Sequence, residues 1–93
     1  MKRSLLHSSA FVRAFKRILK KHPQAAPLLR DTLQRLADDA YDPLLRTHKL
    51  KGDLEGRWAC ASGYDLRVVF RIVEHEGSEA ILLLTAGTHD EVY

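Results

Sequence analysis

Apolar residues recur along this chain with two different periods. Phe11, Ala14, Phe15, Ile18 and Leu19 fall at helical spacing, with Arg13, Lys16, Arg17, Lys20 and Lys21 on the opposite side. That pattern predicts an amphipathic helix of about 13 residues. Ser8 and Ser9 offer N-cap hydroxyls before it. Pro23 closes it, because the residue before a proline is pushed out of the α region. Leu29, Leu33, Leu36, Ala37 and Ala40 form the stripe of a second helix that starts near Pro27 and ends at Asp42-Pro43. Joined through His22-Pro23-Gln24, the two helices make a hairpin whose stripes need another layer to bury them.

Beyond Arg57 the period shortens to two. Three strands are expected, over Arg57–Ala61, Tyr64–Val73 and Glu79–Thr85, with connections short enough for an antiparallel meander. In the middle strand Leu66, Val68, Phe70 and Ile72 share one face and belong under the helices, which leaves Asp65, Arg67, Val69 and Arg71 on the uncovered face. Lys2-Arg3-Ser4-Leu5-Leu6 reads as a short first strand. The result is one α+β domain over residues 1–93, ordered β-α-α-β-β-β, with a helical hairpin on one face of a mainly antiparallel four-stranded sheet. The stretch from Pro43 to Gly56 is irregular and basic and reads as a loop anchored by Leu50 and Leu54.

Composition narrows the setting. The single cysteine, Cys60, excludes an internal disulfide, shares strand parity with Trp58 and reads as buried and inert. No apolar run approaches the roughly 20 residues that span a bilayer, and Met1–His7 lacks the apolar stretch and small-residue cleavage pattern of a signal peptide, so a reducing cytoplasm is the expected location. Charge is uneven. Residues 1–51 carry twelve Lys/Arg against four Asp/Glu, a balance of +8, whereas residues 52–93 carry three against eight, a balance of −5. A basic first half favours a polyanionic partner or an acidic protein segment.

The candidate chemistry gathers from distant positions. His48 stands on the basic loop, Asp65 and Arg67 on the uncovered face, and His89 and Tyr93 past the punctuating Gly87 at the end of the last strand, with Lys49 and Lys51 beside the loop histidine. Two imidazoles, a carboxylate, a phenol and a guanidinium form a set able to cleave RNA without a metal. One group removes the 2′-hydroxyl proton, Arg67 stabilises the phosphoryl charge and another group protonates the leaving 5′-oxygen. Whether His48, Asp65 or His89 is the base is left open. Arg57 and Arg71 join Lys49 and Lys51 as candidate RNA contacts, and no cofactor is expected. Two other readings use the same residues: a zinc site of His48, Asp65 and His89, which lacks the local ligand spacing such sites show, and an RNA-binding module without catalysis. The last nine residues also fit a frayed terminus.

Three segments, Thr47-His48-Lys49-Leu50-Lys51-Gly52, Gly63-Tyr64-Asp65-Leu66-Arg67-Val68-Val69-Phe70 and Gly87-Thr88-His89-Asp90-Glu91-Val92-Tyr93, resemble in content and order the RelE/ParE superfamily of bacterial toxins, most closely its YafQ-like branch. The resemblance implies a RelE-like domain that acts as a ribosome-dependent mRNA interferase, cutting messenger RNA in the ribosomal A site and neutralised by a cognate antitoxin. It implies catalytic positions at His48, Asp65, His89 and Tyr93, with Arg67 matching the strand arginine of RelE-like toxins. A ParE-type toxin acting on DNA gyrase is the rival within the same fold and has no need of His48, Asp65 and His89 together. The chain departs from the YafQ-like pattern at Ala61, Leu66 and Thr85, where that branch tends to carry histidine, tryptophan and arginine.

Overall fold

The amphipathic stretch near the N-terminus is a helix, α1 (Ser9–Lys21), and Ser8 secures its start in two directions. The Ser8 hydroxyl oxygen accepts from the Phe11 N–H at 3.0 Å and its proton goes to the Leu84 carbonyl at 3.2 Å. One side chain thus caps a helix and ties it to a strand far along the chain. A computed structural model describes residues 2–93; Met1, which the reading of the N-terminus included, lies outside them.

After the Pro23–Ala25 3₁₀ turn, α2 (Ala26–Asp38) buries Leu29, Thr32, Leu33, Leu36 and Ala37. It stops four residues short of the expected Asp42-Pro43 boundary. Asp39 is extended, yet Ala40 stays fully buried, so a core contact outlasts the helix. Asp42 instead opens a 3₁₀ turn, Pro43–Leu45, by accepting from the Leu44 N–H at 2.9 Å.

The sheet holds β1 (Ser4–His7), β2 (His48–Lys49), β3 (Trp58–Ser62), β4 (Leu66–His75) and β5 (Ser78–Thr88) in the order β1-β5-β4-β3-β2. All pairs are antiparallel except β1 with β5, which run parallel. The meander β3-β4-β5 matches the expectation, but the sheet has five strands where four were expected. The extra one is β2, inside the segment read as loop. A two-residue strand is too short to show alternation, and it forms because the outer edge of β3 offers unpaired backbone groups: His48 lies opposite Ala59 and Lys49 opposite Trp58.

Both helices cover the face that carries Leu66, Val68 and Phe70, together with Ile81, Leu83 and Ala86 of β5. Full burial of a side chain such as Phe11 or Phe70 stabilises by about 1.5–3 kcal/mol. A polar pair sits within this layer. Thr32 donates to the Leu28 carbonyl at 2.9 Å, so the buried Ser62 hydroxyl, 2.9 Å from Thr32 Oγ1, donates to it and joins α2 to the end of β3. Among the described residues no helix is long and apolar enough to cross a membrane.

Candidate functional site

Residues opposite one another on antiparallel strands point to the same face. On the face away from the helices, His48 stands opposite Ala59, Ala59 opposite Val69 and Val69 opposite Thr85. The next row runs Ala61, Arg67, Gly87. Small residues therefore surround Arg67 and leave a depression around it.

The second row exists because β5 carries an irregularity. Val69 pairs with Thr85 and Phe70 with Leu83, so Leu84 is an extra residue. Without it, Ala86 would face outward beside Arg67 and Gly87 would turn to the helices. With it, Ala86 is fully buried in the core and Gly87 lies beside the guanidinium. Ser8 takes the Leu84 carbonyl that the bulge displaces.

Gly87 lets the chain fold back. A β-carbon there would lie 2.9 Å from Glu91 Oε1, 3.1 Å from Glu91 Cβ and 3.3 Å from Val92 Cγ1. In its absence the last residues close over the open face as a helical turn, α3 (His89–Val92). Thr88 and Glu91 make a capping box, with Glu91 Oε1 accepting from the Thr88 N–H at 2.8 Å. That bond, with help from Arg17 and Lys21, holds the Glu91 carboxyl below its ordinary range. The terminus is a capped turn, and the frayed alternative does not describe it.

Tyr93 then meets both imidazoles. Its ring centroid lies 4.5 Å from that of His89, edge to face at 88°, and 6.3 Å from that of His48. Its hydroxyl is 3.4 Å from His48 Nε2. Partial burial raises the phenol above its usual range, and the nearby Arg67 charge opposes that rise without cancelling it. At neutral pH Tyr93 is therefore a proton donor in hydrogen bonds. The Arg46 carbonyl, 3.1 Å from His48 Nδ1, can only accept. The neutral imidazole is thus protonated on Nδ1 and turns the Nε2 lone pair towards Tyr93.

Arg67 is anchored at one nitrogen. Nη1 donates to the Tyr64 carbonyl at 3.1 Å and the Leu66 carbonyl at 2.9 Å. Among the described residues its other nitrogens donate to no protein acceptor, so they are available to an anion. Arg46, Ala61, Asp65, Arg67, His89 and Asp90 line a cleft of ≈ 640 Å³. Asp65 belongs to the turn between β3 and β4, not to the open face of the strand as expected, and reaches the cleft from its rim. The Asp90 carboxylate lies 3.6 Å from His89 Nδ1.

The candidate RNA contacts divide. Lys49 alternates away from His48, and its ammonium lies 5.4 Å from the ring centroid of Trp58, which stands opposite Phe70 on the helix side. The expected company of Lys49 and Lys51 with His48 therefore does not form. Lys49, Lys51 and Arg57 border a separate depression of ≈ 580 Å³ beside Trp58. Arg71 shares the open face but stands four residues, roughly 13 Å, along β4 from Arg67. Of the three departures, Ala61 stands opposite Arg67, Thr85 opposite Val69, and Leu66 is turned into the core. Sequence reading missed Arg46, whose carbonyl orients His48 and whose left-handed backbone (φ 52°) turns the chain into β2. Asp-Pro upstream signalled a turn, but no side-chain pattern announces a backbone acceptor. Among the described residues no three His, Cys, Asp or Glu side chains gather closely enough to share a metal ion.

The sequence model of one protein family, described as bacterial toxin of type II toxin-antitoxin system, YafQ, matches residues 3–93. Among solved structures the chain is similar to one from the E. coli DinJ-YafQ complex, with a TM-score of 0.79 at 16% identity over 99% of each chain. It is similar to a YoeB/ParE toxin from Agrobacterium tumefaciens at 0.76 and 15%, covering 92% of this chain and 98% of that one. For a chain of the RelBE2 toxin-antitoxin complex from Mycobacterium tuberculosis the values are 0.73 and 13%, covering 96% and 100%. Such identities speak for the fold alone. No curated protein sequence matches this chain.

Proposed function

Because the chain belongs to the YafQ family of bacterial toxins of type II toxin-antitoxin systems, we propose that it disables translation as an mRNA interferase, an endoribonuclease that cuts messenger RNA in the ribosomal A site. The observation that carries this reading is the meeting of His48, Arg67, His89 and Tyr93 on one face of the sheet, beside a cleft that Asp65 also lines.

The roles follow from the atoms presented. His48 Nε2 holds a lone pair and takes the proton of the 2′-hydroxyl. The freed 2′-oxygen attacks the adjacent phosphorus, and the bond from phosphorus to the 5′-oxygen breaks. Arg67 directs its unengaged nitrogens at the non-bridging oxygens, where charge accumulates. His89 gives a proton to the departing 5′-oxygen. Tyr93, held protonated, keeps the two imidazoles apart and donates to whichever oxygen replaces it at His48. Asp65 supplies a carboxylate at the rim that accepts hydrogen bonds from the substrate strand. The products end in a 2′,3′-cyclic phosphate and a 5′-hydroxyl. Proton acceptor, proton donor and charge stabilisation all come from side chains, so the reaction as written runs without a metal.

The cognate antitoxin is proposed as the second partner, by analogy with YafQ bound to DinJ. The basic first half, including the exposed cations of α1, attracts both ribosomal RNA and an acidic protein segment. Induction in a bacterium followed by mapping of transcript 5′ ends tests the reading. In-frame cuts within translated messages are expected for the native chain. His48→Gln, Arg67→Ala and His89→Gln should each lower the cleavage rate by about 10²–10⁴-fold while circular dichroism stays unchanged. Intact transcripts with the native chain, or full cleavage by the His89→Gln variant, would overturn the assignment.

A further inference from the structure

A single exposed apolar side chain is ordinary on a protein surface, but several that gather at one concave site mark a place where a ligand binds. Of the six large apolar side chains that stand exposed among the described residues, the two most exposed are Tyr64 at 93% and Leu44 at 70%. Both line the same cleft as Arg67 and His89. They reach it from separate segments: Tyr64 from the turn between β3 and β4, Leu44 from the Pro43–Leu45 turn. Neither turn is loose. Gly63, beside Tyr64, has φ +71° and is packed so closely on α2 that a β-carbon would lie 2.6 Å from Leu28 Cδ2. The carbonyl of Tyr64 itself is held by Arg67 Nη1 at 3.1 Å. On the other side, Asp42 caps the turn that bears Leu44, and the neighbouring Leu45 is buried.

We propose that Tyr64 and Leu44 form a nucleobase clamp, in which the Tyr64 ring stacks on a base of the single-stranded RNA next to the scissile phosphate and Leu44 closes the opposite wall. This rests on the cleavage reading above and deepens it. The lining of the cleft divides into the anion-seeking Arg67 and Arg46 and the apolar faces of Tyr64 and Leu44, with the carboxylates of Asp65 and Asp90 beside them. That division matches a nucleotide, whose phosphate is charged and whose base presents a flat face. The tie between the Tyr64 carbonyl and Arg67 couples the two halves: the residue that stacks the base also sets the guanidinium that meets the phosphate. Stacking on an aromatic ring tolerates any base, so the clamp contributes affinity and alignment and leaves codon choice to other contacts.

Ribosomes programmed with a defined A-site codon test the clamp under single-turnover conditions with toxin in excess. Tyr64→Ala keeps the backbone carbonyl that holds Arg67 and removes only the ring. It should raise the half-saturating toxin concentration about tenfold or more, with the maximal cleavage rate within about twofold of native. Tyr64→Phe should restore native behaviour, because the face and not the hydroxyl is used. Leu44→Ala should weaken half-saturation by a smaller factor. Unchanged half-saturation in Tyr64→Ala, or a Tyr64→Phe variant as weak as Tyr64→Ala, overturns the clamp. A fall in maximal rate alone also overturns it, since it would mean that Tyr64 acts only through the placement of Arg67. If the native chain itself leaves programmed messages intact, the cleavage reading fails and the clamp falls with it. If the native chain cuts and Tyr64→Ala matches it, only the clamp fails.

Discussion

Tyr93 is the residue on which the site's internal geometry turns, because it meets both imidazoles, His48 through its hydroxyl and His89 through its ring. Its hydroxyl reaches His48 Nε2 at 3.4 Å, a long contact that a substrate hydroxyl would displace. Tyr93→Phe keeps the ring against His89 and removes only that contact. A neutral hydrogen bond contributes about 1 kcal/mol, so single-turnover cleavage should fall by no more than about tenfold. Tyr93→Ala should lose more, since both rings then lose their spacer. Equal rates for the phenylalanine and alanine variants would show that the ring has no positioning role. Residue identity at these sites was readable from sequence because His, Arg and Tyr carry distinctive chemistry. The tautomer of His48 was not readable, because it depends on the Arg46 carbonyl, and every residue has a carbonyl.

At the scale of elements, the bulge at Leu84 and the missing side chain of Gly87 act together. The first rotates the end of β5 so that Gly87 faces outward, and the second clears room for α3 to fold over it. Gly87→Ala inserts a β-carbon 2.9 Å from Glu91 Oε1 and should push α3 off the sheet. None of the α3 residues is buried, so thermal stability should change little. Displacing His89 and Tyr93 by about an ångström, however, should cost between about ten- and hundredfold in cleavage. A melt and a single-turnover assay on the same preparation separate the two effects, and a Gly87→Ala variant with native activity would show that α3 is placed by other contacts. The apolar run Ile81–Leu84 gave away the strand. It hid the bulge, because four successive apolar residues look the same with or without a change of phase.

For the whole molecule, the core sets a limit in alkaline solution. Burial pushes the Cys60 thiol up to about 12, against a partial lowering by Arg67 and by a backbone contact at Val68. The unfolded thiol ionises near its ordinary value of 9.0, so the folded state loses ground as pH rises above that point, until the folded thiol ionises as well. Unfolding free energy should therefore be unaffected by this group below pH 9 and fall by up to about 4 kcal/mol towards pH 12. Denaturant titrations at successive pH values check this, and a Cys60→Ala variant should show a shallower decline; parallel curves would remove Cys60 from the account. The same placement predicts that native Cys60 resists alkylation at pH 8 and reacts once the chain unfolds. Taken alone, the sequence determined the two helices, the antiparallel meander, which face of β4 meets the core, and the residue types proposed for RNA cleavage, because periodicity and side-chain chemistry are local properties. Tertiary structure alone decided that His48 sits on a fifth strand, that Lys49 turns away to Trp58, that Asp65 stands at the rim, and that Tyr93 bridges two histidines. Each of these depends on which backbone groups pair across a sheet and on the phase of a single extra residue, and neither is written in the order of side chains.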